Sequence, residues 1–128
     1  MSSADAAPTD LAGAIDVIEE TYEFMLAYAA QGRVNDLDDS SAGLRAFLRR
    51  SDQALGVIAS AKLPGEAAQQ FLDVMRQDAM KAGAALRLVL AQPAISSQII
   101  DNLNASIHLR ALLTDIFLLD ESLKITGN

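Results

Sequence analysis

A chain of 128 residues, 51% hydrophobic and 21% charged, is too apolar to stay disordered and too polar for a polytopic membrane protein. It is about one domain long, and it contains neither cysteine nor tryptophan. Disulfides, thiolate metal sites, iron–sulfur clusters and thiol catalysis are therefore excluded, and a net charge of −7 argues against nucleic acid as a partner. Residues 1–39 hold nine acids against Arg33, a charge of −8, so the remainder carries +1. No basic and apolar leader is visible at the N-terminus and no uncharged run is long enough to span a bilayer, so the expected location is cytoplasmic.

Apolar residues recur at spacings of three and four between Gly- and Pro-bearing corners, which predicts an all-α chain. Residues 1–9 are expected as a disordered tail, 10–124 as one domain and 125–128 as a second tail. Helix one is predicted from the N-cap Asp10 to about Gln31, closed by Gly32. It carries the row Leu11, Ile15, Ile18, Tyr22, Met25, Ala29 and, beside it, Val17, Thr21, Phe24 and Tyr28. Two adjacent rows make an apolar arc wide enough for more than one neighbour.

Helix two is predicted from Ser40 or Ser41 to Ala61, with Leu44, Leu48, Ser51, Leu55 and Ile58 in line and Arg45 and Arg49 opposite. Lys62-Leu63-Pro64-Gly65 ends it. Helix three follows to about Ala91, and its row Ala68, Leu72, Met75, Ala79, Ala82, Leu86, Val89 alternates four and three, the pattern of a bundle seam. After the corner Gln92-Pro93-Ala94, helix four is predicted as one piece from about Ile95 to Lys124.

The first half of helix four has one apolar row, Ile95, Ile99, Leu103 and Ile107, and the second half adds Leu109, Leu112, Ile116, Leu119 and Leu123. With Leu113, Phe117 and Leu118 the second half is apolar nearly all round. A helix of that kind has to be central or shared between subunits. The expected architecture is an antiparallel up-down-up-down four-helix bundle that pairs as a homodimer, with Phe24, Tyr28, Leu109, Leu112, Ile116 and Leu119 at the interface.

Groups able to do chemistry are few. Glu19, Glu20 and Glu23 form the densest carboxylate group, on the polar arc of helix one, where they could meet a basic protein partner. Asp36, Asp38 and Asp39 alternate oxygens as a calcium loop does, yet the turn glycine and terminal glutamate of such a loop are missing. No metal or other cofactor is implied. Arg110 falls in the apolar arc of helix four, so a partner such as Glu121 or an acid of helix one is expected for it.

His108 is the single histidine and shares a polar ridge with Asp101, Asn104 and Asp115, expected to be the solvent edge of helix four. An exposed mid-helix histidine on a bundle suits phosphotransfer. The segment from Ser106 to Ile116 has some similarity to the dimerisation helix of histidine kinases, in Leu109-Arg110 and Leu113-Thr114. In that alignment Ile107 takes the phosphoacceptor position, His108 the acid's and Leu112 the proline's, so membership of that family is not drawn.

The expected function is therefore non-catalytic: a regulatory, adaptor or accessory protein acting through protein–protein contacts, with itself and with another protein. Two alternatives are histidine phosphotransfer through His108 and carriage of a small apolar ligand in a cavity lined by Met25, Met75 and Met80.

Overall fold

A computed structural model describes residues 7–37 and 43–125. These form five helices: α1 (Leu11–Ala29), α2 (Leu44–Ser60), α3 (Glu66–Leu90), α4 (Ser97–Ala105) and α5 (Ile107–Ile125). The chain is all-α, as its periodicity predicts. The Asp10 side chain accepts from the Gly13 N–H at 2.8 Å and caps α1 as expected. Residues 1–6 and 126–128 of the two expected tails lie outside the described residues, as do Asp38, Asp39 and the expected helix-two starts Ser40 and Ser41.

Neighbouring helices run antiparallel, because their contacts pair ascending with descending numbers. Between α1 and α2, Glu20 meets Arg50 at 2.7 Å and the Phe24 and Phe47 rings stack with centroids 4.5 Å apart. Between α2 and α3, Asp52 meets Arg87 at 2.7 Å, and the Leu63 N–H is accepted by Gln69 Oε1 at 2.9 Å. The wide apolar arc of α1 is used inside the chain: this helix packs on α2 along one side and on α4 along the other.

The expected rows of α2 and α3 are the core. Leu44, Leu48, Ser51, Leu55 and Ile58 of α2 are buried, as are Leu72, Met75, Ala79, Ala82, Leu86 and Val89 of α3. Burying an aliphatic side chain of this size stabilises the fold by about 1.5–3 kcal/mol. Two hydroxyls sit within this core. Thr21 donates to the Val17 carbonyl, Ser51 donates to the Phe47 carbonyl, and the two oxygens touch each other. Two hydroxyl protons thus serve three contacts, so the pair shares its donors rather than leaving either oxygen bare.

The single long fourth helix is corrected to two. The chain breaks at Ser106, whose ψ of 135° is extended and ends α4. Ser106 then begins α5: its hydroxyl accepts from the His108 N–H at 3.2 Å and its carbonyl from the Arg110 N–H at 3.0 Å. The break resets the helical phase, so Ile107 leaves the apolar row and is 75% exposed. It also lets α4 lean on α1 while α5 packs mainly on α3.

Two polar clamps fix the opposite end of the molecule. Asp36, in the loop after α1, receives Arg45 Nε at 2.7 Å and the Ile95 N–H at 2.8 Å, while Arg45 also reaches the carbonyls of Leu90 and Gln92. Tyr28 donates its hydroxyl to the Ile95 carbonyl at 2.7 Å, and Ser97 links the Tyr28 carbonyl to the Arg33 N–H. The loop after α1 is thereby stitched to the start of α4.

Candidate functional site

At the end of the molecule where α2 turns into α3, the descending α5 leaves an apolar groove of about 700 Å³. The corner residues Leu63 and Pro64 form one end, α3 supplies Ala67, Ala68 and Phe71, and α5 supplies Leu118, Leu119, Ser122 and Leu123. The corner is held by Gly65, whose φ of +94° suits glycine, and by the Gln69 bond to the Leu63 N–H. Ser122 donates its hydroxyl to the Leu118 carbonyl of its own helix at 2.8 Å, so the one polar side chain in the lining is satisfied locally. Beside the groove Leu118 is 56% and Phe117 52% exposed. Charged residues next in sequence to the lining are of both signs: exposed Lys62 and Glu66 at the α2–α3 corner and the Lys124–Glu121 pair at 3.4 Å on α5.

Of the six residues expected at a dimer interface, Leu119 belongs to the groove lining and the other five do not. Tyr28, Leu109, Leu112, Ile116 and Leu119 are buried within the one chain, and only Phe24 of the six is partly exposed, stacked on Phe47. Leu112 and Ile116 have no exposed surface at all, because α5 turns this row onto the core. The outward apolar side of α5 is instead Phe117 and Leu118. Their exposure is the surplus that the nearly all-round apolar pattern foretold, at two of the residues that complete that pattern but were not among the expected interface residues.

The three glutamates of α1 differ in their surroundings. Glu20 is ion-paired with Arg50, Glu23 is exposed, and Glu19 faces α5. Burial, then the nearby charges of Asp120, Asp16 and Glu23, push the Glu19 carboxyl above the ordinary glutamate value, and Lys124 partly opposes them.

The polar ridge of the fourth helix also divides at Ser106. Asp101 and His108 are exposed, but Asn104 is 4% exposed and Asp115 is half-buried, so the ridge is not a solvent edge. Asp115 faces Asp78 of α3 instead. Burial, the hydrogen bond with Asp78 and repulsion from it push the Asp115 carboxyl up to about 7. Its Oδ2 is buried with no donor in reach, as is Oδ1 of Asn104. His108 stands in the first turn of α5, not in the middle of a long helix. Arg110, expected inside the apolar arc, is exposed, because the phase reset turns it outward.

Two further expectations are resolved by burial. Met25 and Met75 are wholly buried whereas Met80 is 63% exposed, so the three methionines do not line one cavity. The void beside Met25 is only about 10 Å³, too small for a ligand. Asp36 is engaged by Arg45, whose hydrogen bond holds its carboxyl below the ordinary aspartate value despite burial. Among the described residues no three His, Asp or Glu side chains converge on a point that could hold a metal ion, and no helix is long and apolar enough to cross a membrane.

Sequence reasoning missed the groove because its walls come from three separate segments, each of which alone reads as core. The signal that could have found it is the pair Phe117-Leu118, which the α5 row does not need. No protein-family model matches the chain, no curated protein matches it, and no solved structure matches it.

Proposed function

We propose that this chain works by contact rather than catalysis, as a cytoplasmic regulatory, adaptor or accessory protein whose docking surface is the α3–α5 groove. The observation that carries this reading is the groove itself: about 700 Å³, lined by Leu63, Phe71, Leu118 and Leu123, with no charged side chain in its lining. In this reading α4 and α5 together make one bent fourth arm of an up-down-up-down bundle.

The occupant we favour is a second copy of the chain, presenting Phe117 and Leu118 of its own α5. A two-fold interface sets each patch against itself, so its rim needs both signs of charge. Lys62, Glu66, Glu121 and Lys124, each next in sequence to a residue of the lining, supply both, whereas the acidic side of α1 would meet only like charge.

Sedimentation of the full chain over the micromolar range tests this directly, with Leu118→Asp as the variant. Leu118 is more than half exposed, so the charge disturbs the surface and spares the core. The wild type should sediment as a dimer and Leu118→Asp as a folded monomer; a wild-type monomer throughout overturns the homodimer.

A second reading rests on the same groove. Its volume lies in the roughly 300–1,000 Å³ range of small-molecule sites, so an apolar ligand could fill it. Native mass spectrometry of protein isolated from its own cells separates the two, since a carrier would be a monomer with a stoichiometric small molecule.

A further inference from the structure

α5 is attached differently from the other long helices. The α1–α2 and α2–α3 seams are crossed by ion pairs of opposite sign, Glu20 with Arg50 and Asp52 with Arg87. On the α3 side of α5, Asp115 confronts Asp78, and on the α1 side Asp120 confronts Glu19, which Asp16 and Glu23 flank. Lys124 of α5 is the cation that offsets part of the second junction, and none offsets the first among the described residues.

Two carboxylates can hydrogen-bond to each other only if one of them carries a proton, because an ionised carboxylate accepts and cannot donate. Asp115 Oδ2 is buried without a donor, which fits a site that must hold a proton to be satisfied. The pair sits one turn along α5 from Leu118 and Leu119 and two turns along α3 from Phe71, which line the groove. At its other end α5 begins at the Ser106 break, where the helical hydrogen-bond ladder is interrupted.

We infer that Asp78 and Asp115 form a proton-operated latch: with one shared proton α5 is closed on α3, and loss of that proton loosens α5 about Ser106 and widens the groove. The Glu19–Asp120 junction acts in the same direction, since deprotonation there also sets like charges across a seam of α5. The sign follows from linkage. A carboxyl whose folded value is raised keeps its proton in the folded state where the unfolded chain has lost it. The closed seam is therefore strongest below the ordinary aspartate value and weakens as pH rises through about 7 at Asp115. The consequence for docking rests on the proposed groove, but the movement of α5 does not, and it is read without any occupant.

Amide hydrogen exchange of the full chain between pH 5.5 and 8.5, corrected for the intrinsic rate, is the test. Protection of α5 should fall by roughly tenfold or more across this range, while α2 and the middle of α3 hold theirs. Asp115→Asn, which keeps the hydrogen-bonding shape and cannot ionise, should hold α5 near its pH 5.5 protection throughout. Asp101→Asn, an exposed acid on α4, should behave as the wild type. Asp78→Asn gives an independent check by carboxyl NMR, where the Asp115 titration should fall back toward the ordinary aspartate range.

Flat wild-type protection of α5 overturns the latch, as does a pH-dependent loss that persists in Asp115→Asn or spreads equally over all helices. Dimerisation or its absence in the Leu118→Asp experiment leaves this outcome untouched, so the two ideas fail separately.

Discussion

Arg45 Nε lies 2.7 Å from Asp36 Oδ2, and this pair joins two stretches far apart in sequence, residues 36–45 and 90–95. Asp36, with a side chain only 4% exposed, also takes the Ile95 N–H, and Arg45 spans the carbonyls that end α3. Loop, helix start, helix end and corner meet at one guanidinium and one carboxylate. Because arginine is planar, its donors can serve the carboxylate and the two carbonyls together, which lysine could not do.

Removing one partner of this pair should be costly, since the other is left buried without its counter-charge. Asp36→Asn is expected to lose about 3 kcal/mol at neutral pH, measured by urea unfolding. The pH dependence adds a second readout. Asp36 has a folded value below the ordinary one, so its contribution is present above the ordinary aspartate value and lost as pH falls through the depressed folded value. The wild type should lose stability in that acid range, and Asp36→Asn should lack this part of the slope.

Leu112 separates core from interface. It has no exposed surface in a single chain, so Leu112→Ala should cost roughly 3 kcal/mol of unfolding free energy through the cavity it leaves. A loss of dimer with little loss of chain stability would mean that α5 is turned differently from the arrangement described.

Ser106 caps the start of α5 through its hydroxyl, so Ser106→Ala should cost about 1 kcal/mol. The loss should appear in exchange of the first-turn amides of α5, His108 and Leu109, before it appears elsewhere. Equal protection in the variant would show that the break is set by packing of α4 and α5 and not by the cap.

The helical glycines Gly56 and Gly83 should respond differently to alanine. A Cβ on Gly56 meets nothing within 4 Å, so Gly56→Ala should stabilise by about 1 kcal/mol, the ordinary helix-propensity gain. A Cβ on Gly83 would come within 3.0 Å of Arg87 Nη1 and 3.5 Å of Leu55 Cδ1. Arg87 would have to move away from Asp52, weakening an exposed pair, so thermal unfolding should show a smaller gain for Gly83→Ala, at most about half.

Local pattern determined a large part of this molecule. The rows of α2 and α3 and the cap at Asp10 follow from spacing and side-chain chemistry, because a helix that buries one face writes that face into its sequence at every third or fourth residue. The apolar arc of α1 likewise announced more than one neighbour. Tertiary structure decided what spacing does not encode. At Ser106 an unbroken row, Ile99, Leu103, Ile107, hid a phase reset that shows only where α4 packs on α1 and α5 on α3. Asp115 reads as a polar position on its own helix, and its juxtaposition with Asp78 depends on how α3 and α5 face each other. The groove has the same origin: Leu63, Phe71 and Leu118 lie far apart along the chain, and a concave surface belongs to the distance between helices, which no single segment specifies.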